Sequence, residues 1–383
     1  MMLKPMLVLL LAPLVMAAPA TKDTTAHETV TVEQLTTLLG AEQGKSDADV
    51  ARELSGLQLS ERLSAGRFAR LNAAAPGEKS KQALMILADS SVLLDPPDAE
   101  LFAKPTPDAA ALRQMLVQVV NYVNAATHQL PNFLATRDTS AFEDRPAEDT
   151  VGEGGVGTVS LSYLPLHIVG NTSAGVTYRE GHEVTDAQKQ KIGKHQDTFQ
   201  GLVTAGEFGP FLSTVLADAV KGKITWSRWE QGSDGTDAVF HYQVPKEKSH
   251  YVVQFCCTRE DASESFARHV YSQQSAYHGE IAFNPETGAI LRITVEAELA
   301  PGELVAKAAM VVEYGQVEIA GRSIILPQKS VSLLQAHTAP PRSAMHMAIY
   351  SDMPKTFLND TVFADYHQFR GETRILTGDA AQP

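Results

Sequence analysis

The sequence predicts an α+β fold, in which a helical N-terminal section precedes a curved antiparallel β-meander, a half-barrel covered by one helix. Apolar residues recur at helical spacing up to about Thr127 and at alternate positions from Leu130 onward. The later strand candidates follow one another across short turns, which is typical of an antiparallel meander and not of a parallel α/β sheet. With 383 residues, of which 44% are apolar, the chain is long enough for two domains with buried cores.

The first twenty residues are predicted to be a secretory signal peptide. Lys4 gives a positive start, and an apolar core runs from Leu7 to Met16. Residues 18–20 (Ala-Pro-Ala) fit an A-x-A cleavage site, with residues 15–17 as an alternative. The apolar core is too short to span a bilayer, which argues against an uncleaved anchor. We therefore expect residues 1–20 to be removed, a periplasmic or secreted mature protein, and no transmembrane segment after removal.

Residues 28–104 are predicted to form a helical section made of short helices. Thr31 and Gln34 match a capping box at the start of the first helix. A Pro-Gly pair at residues 76–77 separates two further helices, and two prolines at residues 96–97 end the run. Helices of this length are marginal alone, so we expect them to pack on one another or on the following domain.

Residues 105–376 are predicted to form a second domain, one long helix followed by the sheet, and residues 377–383 a flexible tail. Asp108 lies near the positive end of this helix, where a carboxylate is favourable. A wide apolar stripe follows, which is typical of a helix face that packs on a core. The stripe consists of Leu112, Met115, Leu116, Val119, Val120 and Val123.

The strands are predicted from alternating residue types and from the turn residues between them. Asn284 to Gly288 gives the clearest hairpin, because glycine suits the left-handed residue that ends such a turn. Pro327 is expected to end a second hairpin. A short helix is predicted at 208–220, and the acidic, glycine-rich segment 147–157 is predicted to be a flexible loop. The predicted strands are 132–137, 158–163, 175–179, 223–229, 237–244, 249–258, 277–283, 289–299, 305–314, 316–319, 323–326, 330–334 and 357–369.

The strand at residues 289–299 predicts that the sheet is covered on one face only. One set of alternating positions is apolar and the other is polar or charged, which is typical of an antiparallel sheet with one face in water. We therefore expect the first set to face the core and the second set to be exposed. The two sets are Leu291, Ile293, Val295 and Leu299, and Arg292, Thr294, Glu296 and Glu298.

The order of elements resembles the half-barrel of periplasmic lipoprotein carriers. The resemblance covers residues 107–376 and is carried by the stripe at 112–123, the strand start at 132–137 and the hairpin at 279–288. It implies a concave sheet with an apolar lining that shelters an acyl chain or a hydrophobic segment of a partner. No ligand-binding residue is implied by it. The helical section before residue 95 departs from the carrier pattern and could cover the concave face.

The whole mature chain also resembles an uncharacterised family of secreted proteins from Acidobacteria. The segments that carry this resemblance are Leu-Pro-Asn-Phe-Leu-Ala-Thr-Arg at 130–137, Trp-Ser-Arg-Trp-Glu-Gln-Gly at 226–232, Tyr-His-Gly-Glu-Ile at 277–281 and Val-Glu-Tyr-Gly-Gln-Val-Glu-Ile at 312–319. The resemblance implies an extracytoplasmic compartment and no mechanism.

The acidic composition argues against nucleic acid as a partner. The net charge is −13 and the pI is near 5.4, so the surface repels phosphate backbones and anionic lipid surfaces. Neither G-x-S-x-G nor H-E-x-x-H occurs. The glycine-rich residues 152–157 lack the following helix and the lysine of a phosphate-binding loop. His241 and His250 could face one another on neighbouring strands, but two histidines without further ligands predict no metal site. No catalytic residue, metal or cofactor is predicted.

The aromatic residues of the sheet are the candidate ligand-binding residues. Trp226 and Trp229 are the only tryptophans, and their spacing of three on one strand predicts that they lie on opposite faces. Tyr242 and Tyr251 flank the next turn. Ordinary cross-strand packing is the alternative role for all four residues.

The only cysteines are adjacent, at Cys256 and Cys257. A vicinal disulfide is possible in an oxidising compartment, but successive strand residues point to opposite faces, which separates the two sulfur atoms. Two unpaired thiols are the alternative.

These observations predict an extracytoplasmic, non-enzymatic binding or scaffolding protein. Its partner is expected to be a hydrophobic small molecule or a segment of an envelope protein. A cell-envelope hydrolase with an unrecognised site and a structural envelope protein are the two alternatives. An apolar cavity would favour binding, and converging His, Asp or Glu side chains would favour an enzyme.

Overall fold

The computed structural model describes eleven stretches of the chain. They are residues 27–42, 44–146, 148–151, 158–184, 201–202, 206–233, 235–259, 268–337, 342–344, 347–349 and 353–369. The predicted signal peptide (1–20) and flexible tail (377–383) lie outside them. The α+β fold class predicted from the sequence is confirmed, since helices precede a large antiparallel sheet that does not close.

The helical section contains four helices and a short parallel sheet that the sequence analysis missed. Thr31 caps the first helix as predicted, because its hydroxyl accepts from the Gln34 backbone N–H and the Gln34 side chain accepts from the Thr31 N–H. The elements are β1 (Glu28–Val30), α1 (Val32–Ala41), α2 (Asp47–Leu54), β2 (Leu57–Leu59), α3 (Ala65–Ala74) and α4 (Glu78–Ser90).

Two further α-helices and seventeen strands follow in the described residues. The helices are α5 (Ala109–Gln129) and α6 (Pro210–Lys221). The strands are β3 (Phe133–Arg145), β4 (Glu148–Val151), β5 (Thr158–Leu161), β6 (Leu164–Arg179), β7 (His182–Val184), β8 (Gly201–Leu202), β9 (Lys223–Gln231), β10 (Thr236–Val244), β11 (Val252–Arg259), β12 (Arg268–Gln274), β13 (Ala276–Phe283), β14 (Ile290–Glu298), β15 (Val305–Ile319), β16 (Arg322–Ala336), β17 (Arg342–Ala344), β18 (Met347–Ile349) and β19 (Lys355–Gln368).

Ten of these strands form one open sheet in the order β7-β6-β3-β19-β16-β15-β14-β13-β10-β9. The run from β13 to β16 is the predicted meander, in which each strand pairs antiparallel with the next one in the chain. The chain returns at β19, which pairs with both β16 and β3. A three-stranded sheet, β12-β11-β8, and two short hairpins complete the strand pairings of the described residues.

Several predicted strand boundaries are wrong, because residues that were predicted to end a strand lie inside longer strands. Pro327 lies inside β16 and faces Tyr314 of β15, next to a register shift that accommodates the missing N–H. β15 and β16 are therefore single long strands where two short ones were predicted in each. Part of the predicted loop 147–157 is strand β4, which pairs with β5, and residues 152–157 lie outside the described part.

The first face of the ten-stranded sheet carries the main core. Val119 and Val123 of α5 are buried there with Leu216 of α6 and residues of β9 to β16, so the predicted apolar stripe covers the sheet. Gly288 has a φ of +75° and lies against the backbone of residues 118–119. The predicted hairpin turn therefore contacts the middle of α5.

The second face of the sheet is only partly in water, so the prediction of a wet face on β14 is wrong for Arg292 and Thr294 and right for Glu298, which is exposed. Arg292 is only 8% exposed, and Thr294 is buried beside it. Further along the sheet, Phe142, Val331 and Leu358 form a small core with apolar residues of α4. The helical section covers this part of the face, so Arg292 and Thr294 lie between two layers, while Glu296 is half-buried.

The substitution Val119→Asp should destabilise the fold by about 3 kcal/mol or more, because it places a carboxylate in the α5–sheet core. Val117→Asp is the matched control on the same helix, since Val117 is 57% exposed and Val119 only 1%. Urea denaturation followed by circular dichroism measures both. Equal loss of stability in the two variants would show that α5 does not cover the sheet by this stripe.

Candidate functional site

A buried ionic network lies on the second face, where the helical section meets β9, β13 and β14. Glu230 near the end of β9 accepts hydrogen bonds at its Oε1 from Arg62 (3.0 Å) and from Arg292 (2.9 Å). Its Oε2 accepts from Nε of Arg228 at 3.0 Å. Arg62 belongs to the segment between β2 and α3, so this one carboxylate bonds the helical section to the sheet.

Glu280 on β13 completes the network. Arg228 donates to both of its carboxylate oxygens, at 2.5 and 2.7 Å, in a bidentate pair. Arg292 lies 3.5 Å from the same carboxylate. Three guanidinium groups thus share two glutamates on β9 and β13, which β10 separates in the sheet. Each charge has an opposite charge within contact distance, which buried ions require.

The network controls the ionisation of its central carboxylate. Burial of Glu230 opposes its ionisation, but the charges of Arg292, Arg62 and Arg228 together outweigh burial and lower its pKa to about 2. The pKa of Glu280 is lowered in the same way, against burial, by its bonds to Arg228 and the charge of Arg292. Both glutamates are therefore charged at neutral pH.

A second ionic contact joins α4 to the same face. Lys329 of β16 donates to Oδ1 of Asp89 at 2.6 Å and lies 3.3 Å from Asp360 of β19. Burial and the neighbouring Asp360 carboxylate raise the pKa of Asp89, although Lys329 opposes this. The Lys329 pKa is raised by the two carboxylates, which outweigh its burial.

Between these two layers lies a cleft of about 360 Å³, which we call the interlayer cleft. Its walls are mostly aliphatic and come from β2, from α4 and the turn after it, and from β6 and β16. The apolar lining residues are Leu54, Leu57, Leu59, Ala83, Ile86, Leu87, Leu93, Leu94, Tyr163, Pro165, Leu166 and Leu333.

Polar groups also line the cleft, from the helical section (His27, Ser55, Gln58, Ser90 and Ser91) and from places where strands of the sheet begin or end. Lys307, Gln335 and Thr356 contribute a cation, an amide and a hydroxyl. Asp144 accepts from the backbone N–H of Thr356 at 2.7 Å, and burial raises its pKa despite that bond. A concave site that combines apolar walls with polar groups able to orient a ligand is typical of small-molecule binding.

The tryptophan prediction is wrong, because both rings lie on the first face of the sheet. Phe240 pairs with Trp226 and Val239 with Arg228, so Ser227 is a β-bulge without a partner. The extra residue reverses the alternation, and the rings of Trp226 and Trp229 meet edge to face with centroids 4.8 Å apart. Nε1 of Trp229 donates to the carbonyl of Pro105 at 3.2 Å. The two tryptophan rings therefore pack between β9 and the segment before α5.

The two tyrosines of the predicted site differ in position. Tyr242 is fully buried, and its hydroxyl donates to the Thr294 carbonyl at 2.6 Å. This bond crosses Gly279, where any side chain would collide with both partners. Tyr251 instead lines a separate cavity of about 310 Å³ between α6 and β11, which we call the α6 cavity. The structure brings neither tyrosine to the interlayer cleft.

The cysteine and histidine predictions have different outcomes. The side chains of Cys256 and Cys257 lie outside what the structure describes, so the choice between disulfide and thiols stays open. His241 does not face His250 but lies next to His278, with ring centroids 6.1 Å apart. His250 contacts Asp218 instead. The described residues include no group of three or more His, Cys, Asp or Glu side chains arranged for a metal ion.

Comparisons of the chain with protein-family models, with curated proteins and with solved structures find no match. Both resemblances given by the sequence therefore remain predictions. Of the helices in the described part of the chain, none combines the length and the apolar character that a membrane crossing needs.

The substitution Glu230→Gln should destabilise the protein by about 3–5 kcal/mol at pH 7, because it leaves buried arginines without their counter-charge. The folded pKa of about 2 lies below the ordinary value of 4.5, so ionised Glu230 stabilises the fold above pH 4.5. This contribution is lost as the pH falls from 4.5 towards 2.

The difference in unfolding free energy between wild type and Glu230→Gln should therefore shrink over that pH range. Urea denaturation at a series of pH values measures it. Glu286→Gln is the control, because Glu286 is exposed in the hairpin turn. A difference that stays constant with pH would contradict the assigned ionisation of Glu230.

Proposed function

We propose that the protein acts outside the cytoplasm and binds one acyl chain of a small amphiphile in the interlayer cleft. The observation that carries this proposal is the cleft itself, with aliphatic walls from both layers and polar groups from the helical section and the strand ends. The expected export of the chain, from the signal-like residues 1–20, supplies the compartment.

The cleft is suited to a single chain by its volume and lining. About 360 Å³ is at the small end of the range of roughly 300–1,000 Å³ that is typical of small-molecule pockets. Half-buried aliphatic side chains such as Ile86, Leu166 and Leu333 offer apolar surface that a methylene chain can cover. Each methylene group removed from water contributes about 0.8 kcal/mol to binding.

The polar groups at the strand ends supply partners for a head group. The ammonium of Lys307 and the amide of Gln335 can donate to a carboxylate or an ester. Among the described residues, the ion-pair partner of Lys307 is Glu296, at 3.8 Å. A ligand with an apolar tail and an oxygen-rich head matches this arrangement better than a purely apolar one.

The proposed ligand site lies on a different face of the sheet from the site that the carrier resemblance implies. That resemblance expects a ligand on the concave face of the sheet, under the covering helix. Here α5 and α6 pack their apolar residues on the first face, and the interlayer cleft lies on the second. The helical section, which departs from the carrier pattern, forms half of the proposed site.

Leu333→Trp should fill the cleft and lower the affinity for dansyl-undecanoic acid, a fluorescent fatty acid, by about tenfold. This corresponds to the exclusion of two methylene groups at about 0.8 kcal/mol each. Leu134→Trp is the matched control, because Leu134 is exposed on β3 and does not line the cleft. Fluorescence titration of the three proteins measures the affinities.

Native mass spectrometry of protein exported by its host identifies the natural occupant. A co-purifying acyl compound that is lost in Leu333→Trp supports the proposal. A co-purifying peptide would instead assign the cleft to a segment of a partner protein. The proposal would be overturned if the wild-type protein neither binds the probe nor retains any lipid.

A further inference from the structure

A buried aspartate and an exposed histidine form a pair beside the α6 cavity, on the face of the sheet opposite to the interlayer cleft. Asp218 of α6 is fully buried, and its Oδ1 lies 2.6 Å from Nδ1 of His250. Its Oδ2 accepts from the His250 backbone N–H at 2.7 Å and from the Tyr277 hydroxyl at 3.0 Å. The histidine ring is 66% exposed.

These hydrogen bonds fix the orientation and the tautomer of the His250 imidazole. The other two groups that the described residues place at the Asp218 carboxylate both donate to it, so the proton between the two side chains is assigned to Nδ1 of His250. In the neutral ring Nε2 then carries the lone pair. A carboxylate that orients an imidazole in this way is the arrangement of a general base.

The cavity next to this pair has apolar walls. Phe211 of α6, Tyr251 before β11 and Met310 of β15 line it together with His250. Thr214, one turn before Asp218 on the same helix, and Gln254 of β11 also line it and add a hydroxyl and an amide. Its volume of about 310 Å³ holds a small acyl or aryl group.

We propose that His250 is the general base of an ester-hydrolysing site, whose substrates are carboxylic esters with a small apolar acyl or aryl group seated in the α6 cavity. This site is independent of the proposed interlayer cleft, because its residues come from α6, the segment before β11, β11, β13 and β15. Asp218 is a positioning residue, and water is the nucleophile.

The reaction uses only the ester and water. Nε2 of His250 takes a proton from water as the water oxygen bonds to the carbonyl carbon, and the carbonyl electron pair moves to its oxygen. Thr214 and Gln254 offer neutral donors to that oxyanion. The intermediate then collapses, the bond to the alcohol oxygen breaks, and the imidazolium returns its proton to that oxygen. The products are a carboxylic acid and an alcohol.

Hydrolysis of 4-nitrophenyl butyrate by wild type and variants tests the proposal. His250→Gln should lower kcat by about 100-fold, the usual contribution of a positioned general base. Asp218→Asn should lower kcat with little change in KM, because it disturbs the orientation of the ring and not the apolar walls. His278→Gln is the control, since it removes a histidine that lies elsewhere on the sheet and also contacts carboxylates.

Val252→Trp tests the cavity without altering the Asp218–His250 pair or the oxyanion donors, and should raise KM by filling the acyl site, because Val252 lines the cavity and is partly exposed. This cavity variant still tests the proposal if His250→Gln does not fold. The proposal is overturned if wild type is no faster than an equal concentration of free imidazole, or if a folded His250→Gln keeps wild-type kcat. A loss of thermal stability in His250→Gln without loss of kcat would give the pair a structural role only.

Discussion

The contact of Glu230 with three arginines is the interaction on which the two-layer arrangement depends. Its carboxylate bonds Arg62 of the helical section and Arg292 of the sheet through the same oxygen atom. An isolated ion at this depth would be strongly unfavourable, so the helical section and the sheet have to meet for these charges to be satisfied. The network therefore fixes where the helical section lies as well as contributing to stability.

The interlayer cleft is a consequence of this arrangement. The layers are held at one place by Glu230 and Arg62 and at another by Asp89 and Lys329, while apolar side chains of α4 meet the sheet nearby. The cleft lies where side chains from the two layers do not fill the space between them. Sites at the boundary between two packed units are common for small ligands, because such a site can form without a cavity in the core of either unit.

Much of the fold could be predicted from the sequence because the signals are local. The capping box of Thr31 and the turn at Gly288 depend on residues a few positions apart, and both occur as predicted. The position of Arg292 could not be predicted, since its alternation with apolar neighbours looks the same whether its face meets water or another layer. The two tryptophans were misplaced because one bulge at Ser227 reverses the alternation, and the register that creates it depends on β10.

A double-mutant cycle between Arg62 and Glu230 tests most directly whether this network holds the layers together. The variants are Arg62→Met, Glu230→Gln and the combination, each unfolded in urea at pH 7. The account predicts that the double variant loses less stability than the sum of the single variants, with a coupling free energy of about 1 kcal/mol or more. Additive effects within about 0.5 kcal/mol would contradict it, because independent sites behave in that way.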